Sequence, residues 1–340
     1  MRLKRAIKSA AYAPLSALGA FRASRALAGG RTVILCYHRV VDGPLDAYQP
    51  GMVVSRALFR RHLEWLGRRF RFLTLEEFAR GFLTDEVPAA PCAIVTFDDG
   101  WLDNYEVAFP ILREMGIPAT IFLPTDYIGT GLVYWQSRVE RAMRAVYERR
   151  HILARAYPEE GQPARAAFVQ ELLIRETPLA LMIDRAVLET KVLPRGEFDE
   201  VCAFLERIGD VDGDGPREIV NWDEVRAMAA DGIRFGSHSA SHRIMTTLSA
   251  AENQAEASGS MRVMERELGE APTCFAYPNG DADDVVAREV RRAGYLCAVT
   301  VDTGFANRAT DLFGLPRFSM HEGGAFSGAA LDFLLSGLAS

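Results

Sequence analysis

Two short runs of residues carry side chains that could gather on a divalent cation. The first is Thr96-Phe97-Asp98-Asp99-Gly100, two adjacent carboxylates at the end of an apolar run. Neighbouring carboxylates repel, and both stay ionised only where a cation or hydrogen-bond donors offset that repulsion. The second is Gly236-Ser237-His238-Ser239-Ala240-Ser241-His242, which holds two of the six histidines, four residues apart. Imidazoles at that spacing face the same way if the chain turns helically there. One Asp and two His make a sensible three-ligand set for Zn2+ or a similar ion, with positions left for water and substrate. The other Asp is then available as a general base. Each run alone has a plainer explanation: Asp-Asp-Gly suits a tight turn, and Ser237 suits the cap of a helix that carries two incidental histidines. Their joint presence favours the chemical explanation.

Both runs follow directly on apolar stretches, and these belong to a repeated pattern of short apolar run and amphipathic helix. Strands are expected over 32–38, 92–99, 119–124, 233–239, 273–277, 295–301 and 315–321, and helices over 55–69, 104–115, 249–268 and 283–293. Such alternation argues for a parallel sheet, open or closed into a barrel. The C-terminal ends of parallel strands are where folds of this class bind ligands, and both runs sit at such ends. Ser249-Ala250-Ala251-Glu252 and Asn221-Trp222-Asp223-Glu224 have the form of capping boxes that open helices. Residues 134 to about 220 break the rhythm. They are rich in Arg, Glu, Ala and Leu and offer no strand, which predicts a helical insertion between two strands.

The 340 residues suffice for one large core with an insertion, and 49% hydrophobic with 25% charged residues is an ordinary globular composition. A net charge of −6 gives no electrostatic reason to expect a nucleic-acid partner. Residues 1–31 are the exception, with seven Lys or Arg (Arg2, Lys4, Arg5, Lys8, Arg22, Arg25, Arg31) and no acid around a weakly apolar run from Ala10 to Phe21. This basic segment, residues 1–30, suits peripheral docking on an anionic membrane surface, a solvated helix, or an export signal. The first two are preferred, because the apolar run is short for a signal. Four of the five cysteines (Cys36, Cys92, Cys274, Cys297, with Cys202 the fifth) fall in strand-like runs. They are expected to be reduced core residues. Together these features favour a cytoplasmic chain, or one on the cytoplasmic face of the membrane.

Asp98-Asp99 followed by His238-x-x-x-His242 resembles the first two motifs of the polysaccharide deacetylases (carbohydrate esterase family 4, the NodB homology domain). Leu35-Cys36-Tyr37-His38-Arg39-Val40, Phe275-Ala276-Tyr277-Pro278-Asn279-Gly280 and Leu315-Pro316-Arg317 are also similar to segments of that family. The resemblance covers roughly residues 31–133 and 222–321. It implies an α/β fold, a distorted (β/α) barrel of about seven parallel strands, and hydrolysis of N-acetyl groups on an amino-sugar polysaccharide or glycoconjugate to acetate and a free amine. It assigns Asp98 as catalytic base, Asp99, His238 and His242 as ligands of a divalent metal (Zn2+ first, with Co2+, Ni2+ or Mn2+ as alternatives), the backbone N–H of Asn279 as oxyanion donor, and His321 as general acid. Where the family commonly carries an Arg that orients the base, this chain has Ala276, and Arg317 is the candidate replacement. Where the family often has a Trp, Val299-Thr300-Val301-Asp302 has none. Trp101, Tyr134 and Trp135 are candidates to stack on sugar rings, with Tyr277 and Pro278 as further substrate contacts. The expected partner is an N-acetylated glycan or a lipid-linked sugar. An O-acetyl esterase, a cyclic-amide hydrolase, or a non-catalytic carbohydrate-binding protein would be built on the same site.

Overall fold

The computed structural model describes residues 32–323 except 44, 46–50, 85, 87–90, 154, 156–162, 164–165, 192, 194 and 212–215, and beyond these residues 330–331 and 335. The expectations for residues 1–30 lie outside the described residues. The chain forms two compact units. One is made by the described residues up to Thr130 with those from Glu218 onwards, and the other by Gly131–Arg217.

The larger unit is built on β1 (Thr32–Tyr37), β2 (Cys92–Phe97), β3 (Ala119–Leu123), β4 (Arg234–Ser237), β5 (Cys274–Ala276), β6 (Cys297–Val299) and β7 (Phe318–Ser319). These strands are parallel throughout, in the order β7-β1-β2-β3-β4-β5-β6. Residues just before β7 reach the other edge: Leu315 bridges Val299 of β6, and the Arg317 N–H donates to the Asp302 carbonyl at 2.8 Å. The sheet therefore curls back on itself, giving the distorted (β/α) barrel that the family resemblance implies and that the alternation left open between an open and a closed sheet. Gly236 permits this curvature, since a Cβ there would lie 2.5 Å from the Phe122 ring and 2.8 Å from the Cys274 carbonyl oxygen.

Side chains alternate across a strand, so one face of every strand points into the barrel. Ile34, Ile94, Phe122, Ala276, Val299 and Leu315 share one buried cluster, each contributing about 1.5–3 kcal/mol where a large side chain leaves water. Along β2 that same face continues from Ile94 to Thr96 and then Asp98. The apolar filling thus gives way to polar groups at the C-terminal end of the strands.

The helices of this unit are α1 (Arg56–Gly67), α2 (Leu75–Leu83), α3 (Phe109–Met115), α4 (Trp222–Ala230), α5 (Ala250–Leu268) and α6 (Asp284–Ala293). Both predicted capping boxes form, Asn221 with Glu224 and Ser249 with Glu252. The helix predicted over 104–115 begins instead with a wide π turn, Asn104–Ala108, in which the Phe109 N–H donates to the Asn104 carbonyl. Pro110 has no N–H to continue an ordinary ladder there. Elements with no counterpart in the sequence expectations include α2, opened by a Thr74–Glu77 capping box, a small sheet of Arg39–Val41 with Val53–Ser55, and a short strand Arg71–Leu73 that pairs parallel with β2.

The smaller unit is helical, with Trp135–Glu148, Arg150–Leu153, Ala167–Ile174, Leu179–Lys191 and Arg195–Gly209, and no strand among its described residues. Its core gathers Val139, Met143, Val146, Phe168, Met182 and Leu205.

Candidate active site

The end of β2 sets the geometry. Asp98 is the last residue in ladder contact, its N–H donating to the Tyr37 carbonyl at 3.0 Å. Asp99 and Gly100 then both take left-handed conformations, at φ 76° and 64°. Such a φ strains a residue with a side chain but not glycine. At position 100 space enforces the choice as well, because a Cβ would lie 2.7 Å from Leu123 Cδ2. The two carboxylates thereby leave the strand with different neighbours.

Asp98, buried to 2% exposure, faces a cation from within the chain. Arg317 Nη1 and Nη2 each donate to one Asp98 oxygen at 2.7 Å, a two-pronged pairing suited to the planar guanidinium. The Arg317 Nε donates to the Thr300 carbonyl at 2.8 Å, and Nη1 also reaches Thr96 Oγ1 at 3.2 Å. Burial pushes the Asp98 carboxyl up. The Arg317 guanidinium, with smaller help from His238 and His38, outweighs burial and holds its pKa down to about 2. The Cys36 thiol, which burial keeps protonated, donates to Asp98 Oδ2 at 3.5 Å.

Asp99 faces imidazoles. Its Oδ1 lies 3.1 Å from His242 Nε2 and 3.4 Å from His238 Nε2. Burial pushes this carboxyl up too, but hydrogen bonds from both histidines hold it well below the usual range. Burial opposes charge on His238, while the hydrogen bond to Asp99 and the charges of both Asp residues raise its pKa overall. His238 Nδ1 is 2.7 Å from the Ala276 carbonyl, which can only accept, so Nδ1 keeps its hydrogen in either protonation state, and loss of the Nε2 hydrogen that faces Asp99 frees Nε2 as a ligand atom. The two imidazoles do not share a helical turn, as the spacing had suggested. Ser239 and His242 are both left-handed, at φ 64° and 57°, and the loop they shape brings the ring centroids to 4.9 Å. Glu256 of α5 secures that loop. Its carboxylate accepts the Ala240 and Ser241 N–H groups at 2.9 and 2.8 Å and the Ser241 hydroxyl as well.

The donor set fits a divalent cation. One Asp99 oxygen and one nitrogen each from His238 and His242 lie within 4.8 Å of one another, in a buried position, with the tautomer of His238 already set for ligation. Cys36, His38 and Asp98 form a second such group. There both Asp98 oxygens are taken up by Arg317 and Cys36 is a thiol, so that group suits a proton-transfer site better than a metal. His38 received no role from the sequence. Its signal was its place two residues beyond Cys36 on the inward face of β1, level with Asp98 in the register that pairs Cys36 with Thr96.

The remaining predicted residues divide. Asn279, φ 62°, forms the turn Pro278–Gly280 directly after β5, and its side-chain amide bonds Asp281. His321 follows β7, and its Nδ1 accepts the Gly323 N–H at 3.2 Å, which places the hydrogen of the neutral ring on Nε2. The substrate contacts proposed for five other residues need correction. Tyr277 is fully buried and its hydroxyl donates to the Phe313 carbonyl, because its side chain alternates to the outer, helix-covered layer. Pro278 is buried as well. Trp135, half-buried, sets its ring edge-on to Phe198 against the core of the helical unit, and Tyr134 is buried. Trp101 is buried beneath Arg39 and donates its indole N–H to Asp99 Oδ2 at 2.9 Å.

A parallel barrel with an Asp-Asp pair after β2 and a two-histidine loop after β4, on either side of β3 at the C-terminal ends of the strands, defines a hydrolase-type site. A family model described as polysaccharide deacetylase matches residues 85–156 and 198–298, just over half of the chain. The chain belongs to the polysaccharide deacetylase family, hydrolases of carbon–nitrogen bonds other than peptide bonds. The Bacillus subtilis protein YxkH, named for the same family, is 22% identical over 298 residues, 87% of this chain and 73% of that protein. The poly-beta-1,6-N-acetyl-D-glucosamine N-deacetylase of Staphylococcus epidermidis is 38% identical over 107 residues, but these span only 28% of this chain and 37% of that protein. Among solved structures, the Streptococcus pyogenes deacetylase PplD covers 88% of this chain and 96% of its own at TM-score 0.58 and 20% identity. IcaB from Ammonifex degensii covers 89% and 97% at TM-score 0.57 and 18% identity. At these identities the likeness speaks for the fold.

Proposed function

We propose that this chain removes N-acetyl groups from an amino-sugar polymer or glycoconjugate, using a divalent ion held by Asp99, His238 and His242. The observation that carries the reading is the division of the two carboxylates. Asp98 is paired with an internal cation, while Asp99 stands with two imidazoles as a ligand set. An ion in that set, with Zn2+ the first candidate and Co2+, Ni2+ and Mn2+ the alternatives, supplies Lewis acidity towards water and the acetyl carbonyl.

The chain's own groups divide the rest of the work. Asp98 takes a proton as water adds to the acetyl carbon, and Arg317 fixes the direction of its carboxylate. The Asn279 N–H faces the oxygen that gains charge. The carbon–nitrogen bond then breaks, acetate departs, and the amine takes a proton from the Nε2 of His321 in its imidazolium form, which Nδ1 reaches by taking up a proton in place of the Gly323 N–H bond. Support for an amino-sugar substrate comes from the Staphylococcus epidermidis relative, whose name specifies a poly-N-acetylglucosamine.

The reading extends to location. Seven basic residues within positions 1–31 suit docking on an anionic membrane, each contributing about 1 kcal/mol near such a surface. A docked chain would meet lipid-linked sugars on the cytoplasmic face, in keeping with five buried free thiols. Among the described residues no helix is long and apolar enough to cross a membrane.

The test is acetate release from a panel of N-acetylated and O-acetylated glycans, before and after chelation and with metal restored. Metal-restored release from N-acetylated members alone supports the proposal. Release confined to O-acetyl esters would make the chain an esterase, and no release from any member, at any metal, would leave a carbohydrate-binding protein.

A further inference from the structure

Trp101 grips Asp99 by the oxygen that the histidines do not face. The indole Nε1–H donates to Oδ2 at 2.9 Å, whereas Oδ1 is the atom nearest His242 and His238, at 3.1 and 3.4 Å. An indole nitrogen only donates, so this bond commits Oδ2 as an acceptor. The ring that delivers it is itself immobilised. Its backbone bridges to Ile219, the Leu102 N–H donates to the Glu218 carbonyl at 2.7 Å, and the Val220 N–H donates to the Gly100 carbonyl at 3.0 Å. The Arg39 guanidinium lies 4.2 Å from the centre of the indole, and Asp103 anchors that Arg at 2.7 Å. Asp103 in turn accepts the Val40 N–H at 3.0 Å. A side chain that is 5% exposed and fixed in this way has no free face to offer a sugar.

We infer that Trp101 is a positioning residue that restricts Asp99 to ligation through one oxygen. A carboxylate can hold a cation through one oxygen or both. With one lone pair of Oδ2 tied to the indole and the carboxylate plane held by it, the second mode is disfavoured, and the coordination position it would fill is left to water and substrate. The left-handed backbone of Asp99 and the indole bond thus act on the same side chain from its two ends. The inference rests on the reading of Asp99, His238 and His242 as metal ligands. Partners in this position typically change metal affinity by about 10–100-fold when removed.

The experiment is titration of chelator-stripped full-length protein with Co2+, whose visible absorption is strong at four ligands and weakens as coordination number rises. Trp101→Phe keeps an aromatic ring under Arg39 and removes the donor. It should bind Co2+ roughly 10–100-fold more weakly, with a weaker visible band. A second protein carries benzothienylalanine at position 101, which keeps the bicyclic shape and puts sulfur where the N–H was. It should reproduce both changes with the thermal midpoint of the unmodified protein. Unaltered affinity and spectrum in the sulfur analogue would overturn the inference while leaving the ligand set standing. Failure of the unmodified protein to take up Co2+ would instead overturn the ligand set, and the inference with it.

Discussion

Asp98 and Asp99 are joined by one peptide bond, and the two regions they open into are balanced by different kinds of charge. On the Asp98 side the chain brings its own permanent cation, Arg317, and meets both oxygens with it. On the Asp99 side it brings two imidazoles, whose charge depends on protonation and whose neutral form binds metal, together with an indole that donates but carries no charge. Two buried like charges this close would ordinarily force one to take up a proton. Here both are held below their usual pKa, because each has a separate partner. A carboxylate closed off by arginine is fitted to stay ionised and accept a proton. One shared with histidines is fitted to hold an exchangeable cation.

The largest effect should come from emptying the Asp99 region. His238→Ala removes a ligand whose other nitrogen is anchored to Ala276, and is expected to abolish both stoichiometric metal uptake and acetate release. Metal analysis of the purified variant beside an activity assay checks it. Retained metal at full stoichiometry would move the ion elsewhere.

Disturbing the Asp98 region should cost less turnover and show a different signature. Arg317→Met leaves a buried carboxylate without its counter-ion, which costs about 3–5 kcal/mol of stability by urea denaturation. Because burial of Asp98 is then opposed only by the smaller pull of His238 and His38, its pKa rises, and the acid limb of the pH–rate profile should move to higher pH. In the unaltered protein Asp98 sits near 2 rather than the usual value of about 3.9, so its contribution to stability is complete above about pH 4 and is lost as pH falls towards 2. A loss of stability with an unmoved acid limb would make Arg317 structural only.

The smallest effect is expected at Glu256, which touches neither carboxylate. Glu256→Gln keeps the shape but weakens the grip on the Ala240 and Ser241 N–H groups. The expected result is roughly tenfold weaker metal binding, in the range for outer-shell partners, with the acid limb unmoved. A shift of the limb instead would show that the two regions are not separable.

Much of this was legible in the sequence, and the boundary of legibility is physical. Asp98, Asp99, His238 and His242 announce themselves because their chemistry is local, each pair lying within a few residues at a strand end. Arg317 lies 219 residues from Asp98 and was reachable only through the vacancy at Ala276. The aromatics are not legible in the same way, because a ring's identity does not say which way it faces. Tyr277 alternates outward after β5, and Trp101 is turned inward by the left-handed residues before it. The strands Arg39–Val41 and Val53–Ser55 are three residues each, too short to display a period. The helix α2 carries a readable Thr74-x-x-Glu77 start, and the helical character of the described residues within 135–209 matches a composition rich in Arg, Glu, Ala and Leu.

The division of labour between the two carboxylates is tested most directly by titrating chelator-stripped Asp98→Asn protein with Zn2+ and assaying the loaded protein for acetate release. The amide keeps the shape of Asp98 but cannot take a proton from water near neutral pH. The account predicts one Zn2+ per chain, bound within about threefold of the unaltered affinity, well inside the 10–100-fold expected for a lost ligand partner, and no acetate. Normal release, or loss of the ion, would contradict it.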